Sequence, residues 1–424
     1  MFIFDSHETV LSKRKISILV LSSWSYKEPL CHSYLLPNIK IIRKIISDEC
    51  VIYLQTSEKK NLRLTKQEEN EVSQQLADAG IVWKPLPYRN FGMSAIFLYI
   101  AQIIRLTFFI HKKKIDVLHP FAASAGTMAL FLKKITRKKM VLDSWEPHAE
   151  CMVQTGAWSE NSLAFRILWW SEKMQAKYAD VLIAASKGMV QYSNESYGIA
   201  VKHVLLRPAC VDLQIFNASK YDRVAIREKL ELTGKVVCAC VSKLGGLYLR
   251  HDVFRLFKTG QDVFGESFHV LLLSENSREE VLGLCHDSGF DSSHLTHLSV
   301  PHSDVPAFLI ACDFAFNPQQ PVPAKRYGTP VKDGEYWAMG LPIIILPEIS
   351  EDSMIVKNEN AGVILADLNV SSMTNAMQQM QFLLSSNPEI RSQMRKIAEQ
   401  YRSYEIAEQT YRQLYSGKMP LLWT

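Results

Sequence analysis

The stretch TPVKDGEYWAMGLPIIIL, residues 329–346, contains the signals for a short helix followed by a buried strand. Thr329 is a good N-cap residue, and Pro330 suits the first helical turn. Gly340 can end the helix, and Pro342 prevents its continuation. The run IIIL is apolar throughout, as in a parallel strand that is buried on both faces. The stretch therefore predicts one helix-to-strand unit of a parallel α/β sheet.

The predicted helix also carries a pair of charged residues that could bind a ligand. Lys332 and Glu335 are three positions apart, so they share a helix face near the N-terminus. Backbone N–H groups and the helix dipole favour an anion there, and a lysine beside them would strengthen phosphate binding. A carboxylate one turn deeper accepts hydrogen bonds, for example from ribose hydroxyls. The pattern fits a nucleotide site, and it also fits a surface helix with an ordinary ion pair.

Predicted strands and helices alternate along the whole chain around this stretch. The alternation runs from a strand at 16–21 to a strand at 181–184, and it breaks at 207–234. It restarts with the strand KVVCACVS at 235–242. Such alternation predicts a doubly wound parallel sheet in each half, with ligands bound beyond the carboxyl ends of the strands. Functional residues are therefore expected just after strands.

Composition and charge describe a globular protein with a basic first half. The chain has 424 residues, of which 47% are hydrophobic and 21% charged, which allows an ample core. Residues 1–210 carry 28 Lys/Arg and 18 Asp/Glu, or 28 − 18 = +10, and the rest carries 20 − 25 = −5. A basic half suggests an anionic partner, or simply a lysine-rich solvated surface. The basic runs lack interleaved aromatic residues, which argues against nucleic acid.

Two further features concern the location of the protein. The eight cysteines show no metal-binding spacing and several lie in apolar runs, as in buried thiols of a reducing, cytoplasmic protein. Residues 94–110 form an apolar helix pattern that contains Arg105 and precedes HKKK. That length is at the lower limit for a bilayer span. We expect a helix packed on the sheet and facing an anionic membrane surface, with peripheral attachment at the inner face.

Two other loops follow predicted strands and carry candidate donor-side or acceptor-side residues. SKLGGLYLRHD, at 242–252, offers Lys243 to a phosphate, and Gly245 and Gly246 permit close backbone approach, although a purely structural turn fits as well. His119 ends a strand and is followed by small residues that lead into a helix.

The segment LDSWEPHAECMVQTGAW, at 142–158, has an unusual density of titratable groups. Asp143, Glu146 and His148 come directly after a buried strand. They can supply acid–base groups or contacts to acceptor hydroxyls. A metal site is less well supported, because a Cys/His ligand set is absent from the segment.

Several of these segments resemble those of a known family. The run GEYWAMGLPIII, at 334–345, looks like the signature of GT-B glycosyltransferases of the family-4 type, in which a Lys-x-x-Glu-Tyr-x-Ala-x-Gly-x-Pro pattern forms the sugar-nucleotide site. Weaker similarities follow in the expected order, at 142–158, 172–186, 207–216 and 240–250. The resemblance implies an α/β GT-B fold, in which two Rossmann-like domains face each other across a cleft.

The resemblance also implies roles for individual residues. On the donor side, Glu335 would hold the ribose, and Lys332 and Lys243 would neutralise the diphosphate as catalytic groups. Further donor contacts would come from Gly245, Gly246, Pro301 and Tyr336. His119 and Asp143 would be catalytic and line the acceptor and sugar side, and Glu146 and His148 would bind the acceptor. One departure is Tyr327, because many relatives have a glutamate eight positions before Glu335.

The implied organisation has three parts. An acceptor-side domain at 1–208 precedes a nucleotide-sugar donor domain at 209–388, and a helical segment at 389–424 crosses back to the first domain. The implied reaction transfers a sugar with retention from a UDP-sugar, or alternatively a GDP-sugar, to a saccharide or lipid-linked acceptor, without an obligatory metal. It would serve surface polysaccharide or glycoconjugate synthesis. A GT-B-shaped sugar-nucleotide epimerase and a non-catalytic sugar-nucleotide-binding subunit are the alternatives.

Overall fold

Two parallel β-sheets, one in each half of the chain, organise the protein in the computed structural model, which describes residues 16–89 and 92–416. The strands of these residues are β1 Ser17–Ser22, β2 Val51–Glu58, β3 Ile81–Pro87, β4 Val117–Phe121, β5 Lys139–Trp145, β6 Val181–Ala184, β7 Val204–Leu206, β8 Val236–Val241, β9 Phe268–Leu273, β10 Leu295–Leu298, β11 Phe314–Phe316, β12 Ile343–Ile345 and β13 Gly362–Ile364. The α-helices are α1 Leu36–Ile45, α2 Lys66–Asp78, α3 Met93–Lys112, α4 Ala122–Thr136, α5 His148–Gln154, α6 Leu163–Tyr178, α7 Gly188–Tyr192, α8 Arg223–Lys229, α9 His251–Phe264, α10 Arg278–Ser288, α11 Val305–Leu309, α12 Val331–Ala338, α13 Asp352–Glu359, α14 Val370–Ser386, α15 Ile390–Arg402 and α16 Tyr404–Tyr415.

The strand orders place a crevice in each sheet. The first sheet has the order β3-β2-β1-β4-β5-β6-β7, and the second has the order β10-β9-β8-β11-β12-β13. Every pairing between these strands is parallel. The order reverses between β1 and β4 and again between β8 and β11, which are the topological switch points where α/β sheets bind ligands. The predicted doubly wound α/β architecture is confirmed.

Helices cover both faces of the first sheet. Helices α3, α4 and α6 pack on one face, and α1, α2 and α16 pack on the other. The second sheet lies in one large core with α9, α12, α14 and α15. Helix α3 is the one helix among residues 16–89 and 92–416 that is long and apolar enough to span a membrane.

The chain passes between the two domains at two adjacent points. Val211 forms a parallel bridge with Ser403, and its N–H donates to the Arg402 carbonyl at 2.7 Å. In the segment 389–424, which we expected to cross back to the first domain, α15 packs in the second core, for example through Met394. Only α16, after Ser403, lies in the first core, with Tyr411 fully buried. Residues 417–424 lie outside the described part of the chain.

The stretch 329–346 forms the predicted helix and strand, with one correction at its start. Helix α12 begins at Val331 with Pro330 as its N-cap, so the N-cap role predicted for Thr329 is wrong. Pro330 occupies that position in an extended conformation, and the buried Thr329 hydroxyl has no hydrogen-bond partner among the described residues. Gly340 has a φ of +81° and ends the helix as predicted. Strand β12 is fully buried.

Helix α1, which lies between β1 and β2, was not predicted from the sequence. Pro37 lies at the second position of this helix, within the first turn, where its missing N–H has no intrahelical partner to lose. The helix then buries Ile39 and Ile42 against the first sheet. Pro37 was therefore no obstacle to a helix at residues 36–45.

Candidate functional site

The donor-side residues of α12 and of the loop after β8 lie next to each other. The Lys332 ammonium is 4.9 Å from the centre of the Tyr248 ring, which belongs to that loop. The loop is tied down by the Leu249 N–H, which donates to the Pro318 carbonyl at 2.7 Å. Both segments follow strands of the second sheet, in agreement with the expectation that candidate residues just after strands lie close together.

The loop after β8 has the conformation that its glycines permit. Gly245 and Gly246 have φ values of +84° and +65°, a region that residues with a Cβ rarely adopt. A Cβ atom at Gly246 would meet nothing within 4 Å, so there is open space beside the backbone. Lys243 is exposed at the start of this loop. The loop therefore presents an accessible lysine and an accessible stretch of backbone on the same side of the domain as Lys332.

Glu335 is paired with a histidine that the sequence reasoning missed. The His302 Nε2 atom lies 2.7 Å from Glu335 Oε1, with the side chains 31% and 5% exposed, respectively. Burial alone would lower the pKa of His302, but the hydrogen bond and charge of Glu335 outweigh it and raise the pKa. His302 directly follows Pro301, which is exposed and caps a short turn after β10. Pro301 was selected because it follows a predicted strand, and the same reasoning could have selected His302, the next residue.

A histidine of the first domain approaches the same place. Burial lowers the pKa of His32, a hydrogen bond with the Tyr26 backbone opposes this, and the charges of His302 and Lys40 lower the pKa further. His32 lies in the π-helical turn Cys31–Leu35 that leads into α1, where it makes an edge-on contact with Tyr26, with ring centres 4.9 Å apart. The turn before α1 is thus close enough to the second domain for the charge of His302 to act on His32.

Tyr336 lies behind this site and does not line it. Its side chain is fully buried, and its hydroxyl accepts the Val241 N–H at 2.9 Å. The predicted contact between Tyr336 and a ligand is therefore wrong. Instead, the tyrosine anchors the end of β8, from which the loop with Lys243 departs.

Asp143 and His119 are fully buried, contrary to the roles predicted for them. Asp143 binds Arg207 at 2.5 Å and accepts the Tyr411 hydroxyl at 2.7 Å. The His119 Nε2 atom is 3.4 Å from the same carboxylate, and its Nδ1 is 2.6 Å from the Tyr415 hydroxyl. We call these five residues the Asp143 cluster. Direct catalytic contact with a substrate is excluded for both residues, because Tyr411 and Tyr415 of α16 cover them.

The Asp143 carboxylate is charged within this buried environment. Burial would raise its pKa, but Arg207 in the first place, and then His119 and Tyr411, hold the pKa well below its usual range. A buried ion pair of this kind joins β5 to the interdomain linker that carries Arg207. The cluster is therefore a structural joint between the first sheet, the linker and α16.

Glu146 and His148 lie at the carboxyl end of β5 and remain accessible. Their side chains are 40% and 35% exposed, and His148 Nδ1 lies 3.8 Å from Glu146 Oε1. Burial opposes ionisation of both groups, yet their mutual interaction lowers the pKa of Glu146 and raises that of His148. Lys325 of the second domain further lowers the pKa of Glu146. The pair thus faces the cleft from the first domain.

Glu172 supports this pair from beneath and was not selected from the sequence. It is fully buried in α6 and accepts the Ala149 N–H at 2.9 Å and the Tyr197 hydroxyl at 3.0 Å. Burial raises its pKa to about 8. Because Ala149 follows His148 in the first turn of α5, Glu172 fixes the position of that histidine. Glu172 could have been selected from the sequence, because it is a glutamate inside the largely apolar helix sequence FRILWWSEKM.

Tyr327 takes part in the contact between the domains. Its ring centre is 5.0 Å from that of Tyr192, and a Cβ atom at Gly188 would lie 3.2 Å from the ring. Nearby, the Ala324 N–H donates to the Gln154 side chain at 2.8 Å. The turn before α12 therefore packs on α5 and α7 of the first domain. Tyr327 therefore forms an aromatic interdomain contact.

Positively charged side chains lie at α12 and in the loop after β8. Among the described residues there is no group of three or more His, Cys, Asp or Glu side chains placed to hold a metal ion. The donor side offers Lys332, Lys243 and the N-terminus of α12, a set that suits an anionic diphosphate.

Comparison with solved structures identifies the fold. HepE (Alr3699) of Anabaena in complex with UDP-glucose matches with a TM-score of 0.69 and 14% identity, covering 95% of this chain and 100% of that chain. Sucrose-phosphate synthase from Thermosynechococcus elongatus matches with a TM-score of 0.69, 13% identity and coverages of 95% and 100%. WaaG, a glycosyltransferase involved in lipopolysaccharide biosynthesis, matches with a TM-score of 0.67, 12% identity and coverages of 94% and 98%.

These similarities establish the architecture over nearly the full chain. The protein has the GT-B fold, as the resemblance implied. Comparisons with protein-family models and with curated proteins give no match. At 12–14% identity the solved structures show the fold alone.

Proposed function

We propose that this protein is a glycosyltransferase that uses a nucleotide-sugar, with UDP-sugar favoured over GDP-sugar. The observation that carries the proposal is the arrangement at α12, where Lys332 faces the loop after β8 and Glu335 lies one turn deeper. This set offers cations to a diphosphate and a carboxylate to a ribose. The Anabaena HepE structure, which has the same fold, contains UDP-glucose.

In the proposed reaction the sugar leaves a nucleoside diphosphate, which must accept negative charge as the glycosidic bond breaks. Lys332, Lys243 and the N-terminal N–H groups of α12 would stabilise that charge in the transition state. Such fixed donors need no reorganisation when the bond breaks, which is why they favour the transition state over the bound substrate. The proposed outcome is transfer with retention of anomeric configuration.

On the other side of the cleft, Glu146 and His148 would receive a saccharide or lipid-linked acceptor. Both are accessible and interact with each other, and Glu172 holds the helix that begins at His148. The covered Asp143 cluster has no direct part in this chemistry. We infer a role in surface polysaccharide or glycoconjugate synthesis, which fits the description of WaaG.

Calorimetric titration with UDP, GDP and ADP tests the donor site. We expect UDP to bind and Glu335→Ala to lose most of that binding. UDP-glucose should then release UDP only when a saccharide or lipid-linked acceptor is present. Failure of all three nucleotides to bind would contradict the proposal.

A sugar-nucleotide epimerase is the second candidate, because the accessible Glu146–His148 pair could also move protons on the nucleotide-sugar itself. An epimerase would convert UDP-glucose without any acceptor, so analysis of the sugar product distinguishes the two enzymes. A non-catalytic subunit, which Tyr327 in place of glutamate favours, would bind the nucleotide and show neither reaction.

A further inference from the structure

Helix α3 carries an apolar stripe that the fold leaves uncovered. The stripe follows helical spacing, and its residues are between 49% and 71% exposed: Met93, Ile96, Phe97, Ile100, Ile104 and Phe108. The opposite side of the helix is buried against the first sheet through Leu106 and Ile110. Single exposed apolar residues are ordinary, but a contiguous stripe of this length is typical of an interaction surface.

The two neighbouring helices extend this surface. The ring of Tyr99 on α3 lies 6.4 Å from that of Phe131 on α4. The Lys134 ammonium on α4 lies 6.0 Å from the Trp170 ring and 4.9 Å from the Tyr178 ring, both on α6. These contacts place the three helices side by side on one face of the sheet. Helix α6 adds a second exposed apolar row, Leu163, Ile167 and Trp170.

The charge of this face has one sign. Helices α3 and α4 contain no Asp or Glu, and the only acidic residue of α6 is the fully buried Glu172. Basic residues are present on all three helices: Arg105, Lys112, Lys134, Arg166, Lys173 and Lys177. An apolar stripe beside lysines and amphipathic aromatic rings matches the acyl and headgroup layers of an anionic leaflet.

The connections of α3 decide how it can meet a membrane. The most apolar 18-residue stretch of this 20-residue helix has a mean hydropathy of 1.8, and 11% of that stretch is buried. The helix joins β3 to β4, and both strands belong to the same sheet. A helix that crossed a bilayer would place its ends on opposite sides and separate these strands. Helix α3 can therefore lie in the plane of the interface but cannot span the membrane while the sheet is intact.

We propose that α3, α4 and α6 form a docking face for an anionic membrane leaflet, into which the α3 stripe inserts. Helix α5, which begins with His148, packs on α6, so the face borders the acceptor side of the cleft. The docking follows from surface chemistry and does not depend on the proposed transferase activity. If that activity holds, a lipid-linked acceptor would reach the cleft along this border.

Flotation of the full chain with vesicles tests the proposal. The vesicles contain phosphatidylcholine, with or without phosphatidylglycerol. The test variant is Phe97→Glu/Phe108→Glu, and the matched control is Phe382→Glu on α14 of the other domain, where the side chain is 72% exposed. We expect strong binding only with phosphatidylglycerol, and at least about a tenfold loss in the test variant, because two inserting rings become charged.

The control variant should bind vesicles like the unmodified protein, and circular dichroism should show that both variants are folded. The proposal is overturned if the unmodified protein does not float with anionic vesicles, or if both variants lose binding equally. It is also overturned if sedimentation velocity shows a dimer that the test variant abolishes, because the face would then join two copies of this chain.

Discussion

His302 stands between the cleft and the carboxylate proposed to hold the donor ribose. Its Nε2 atom lies 2.7 Å from Glu335 Oε1, and it is much the more exposed of the two side chains. A ligand that reaches Glu335 must therefore approach beside an imidazole ring, whose protonation changes the charge of the site. The charge beside Glu335 therefore changes when His302 gains or loses a proton, which a site with lysines alone would not show.

The His302–Glu335 pair should make stability depend on pH. The pKa of His302 is raised above its ordinary value of 6.5 in the folded protein. The pair's contribution is thus complete below the unfolded pKa and is lost as pH rises through the raised folded pKa. We expect His302→Gln to cost about 1 kcal/mol or less in unfolding free energy at acidic pH, a cost that fades at alkaline pH.

Urea unfolding at several pH values measures this difference. His286→Gln is the control, because that side chain is 91% exposed and its acidic neighbour is the exposed Asp287. A difference that grew with rising pH would contradict the assigned pairing.

Lys332→Ala should remove a cation that stabilises the departing diphosphate. We expect a loss of about 2–4 kcal/mol in transition-state stabilisation, by analogy with removal of an oxyanion-hole donor. The measurement is turnover in the acceptor-dependent release assay. Lys357→Ala, an exposed lysine on α13 of the same domain, is the control and should leave turnover unchanged. Unchanged turnover in Lys332→Ala would place the diphosphate elsewhere.

Glu335→Ala should weaken nucleotide binding itself. Loss of a buried, hydrogen-bonded charge is expected to cost about 1–3 kcal/mol. That cost raises the Kd for UDP by roughly fivefold to 150-fold, as measured by calorimetry. Glu279→Ala, at an exposed position on α10, should bind UDP normally. Equal affinity in the two variants would remove Glu335 from the site.

Asp143→Ala should destabilise the fold. The substitution leaves the Arg207 charge buried without its partner, which typically costs about 3–5 kcal/mol. Glu408→Ala, which breaks an exposed pair with Arg412 on α16, should cost about 0.5 kcal/mol or less. Urea denaturation compares the two variants. Normal stability combined with lost turnover would restore the catalytic role that the structure denies to Asp143.

The fold and the placement of Lys332 beside the loop after β8 could be predicted because their signals are local. The apolar run of β12 and the turn at Gly340 act within a few residues, and alternation of strands and helices implies a parallel sheet wherever it occurs. Lys332, Lys243 and the loop glycines follow strands of that sheet, so topology alone assembles them at one edge.

The acceptor side could not be resolved in the same way. Asp143 and Glu146 are three positions apart and both follow buried residues, yet one is covered and the other is accessible. The difference comes from Tyr411, which is 268 positions beyond Asp143. The contact of Tyr327 with Tyr192 likewise depends on how two domains meet, which no local pattern encodes.

The Asp143 cluster has a consequence for synthesis of the protein on the ribosome. Strands β4 and β5 emerge early, but the two tyrosines that cover His119 and Asp143 emerge only after the entire second domain. The domain that is made first is therefore completed last. Until α16 arrives, the apolar groove that it will fill and the Asp143–Arg207 ion pair that it will bury remain open to water, where a chaperone or an incorrect segment can compete for the place of that helix.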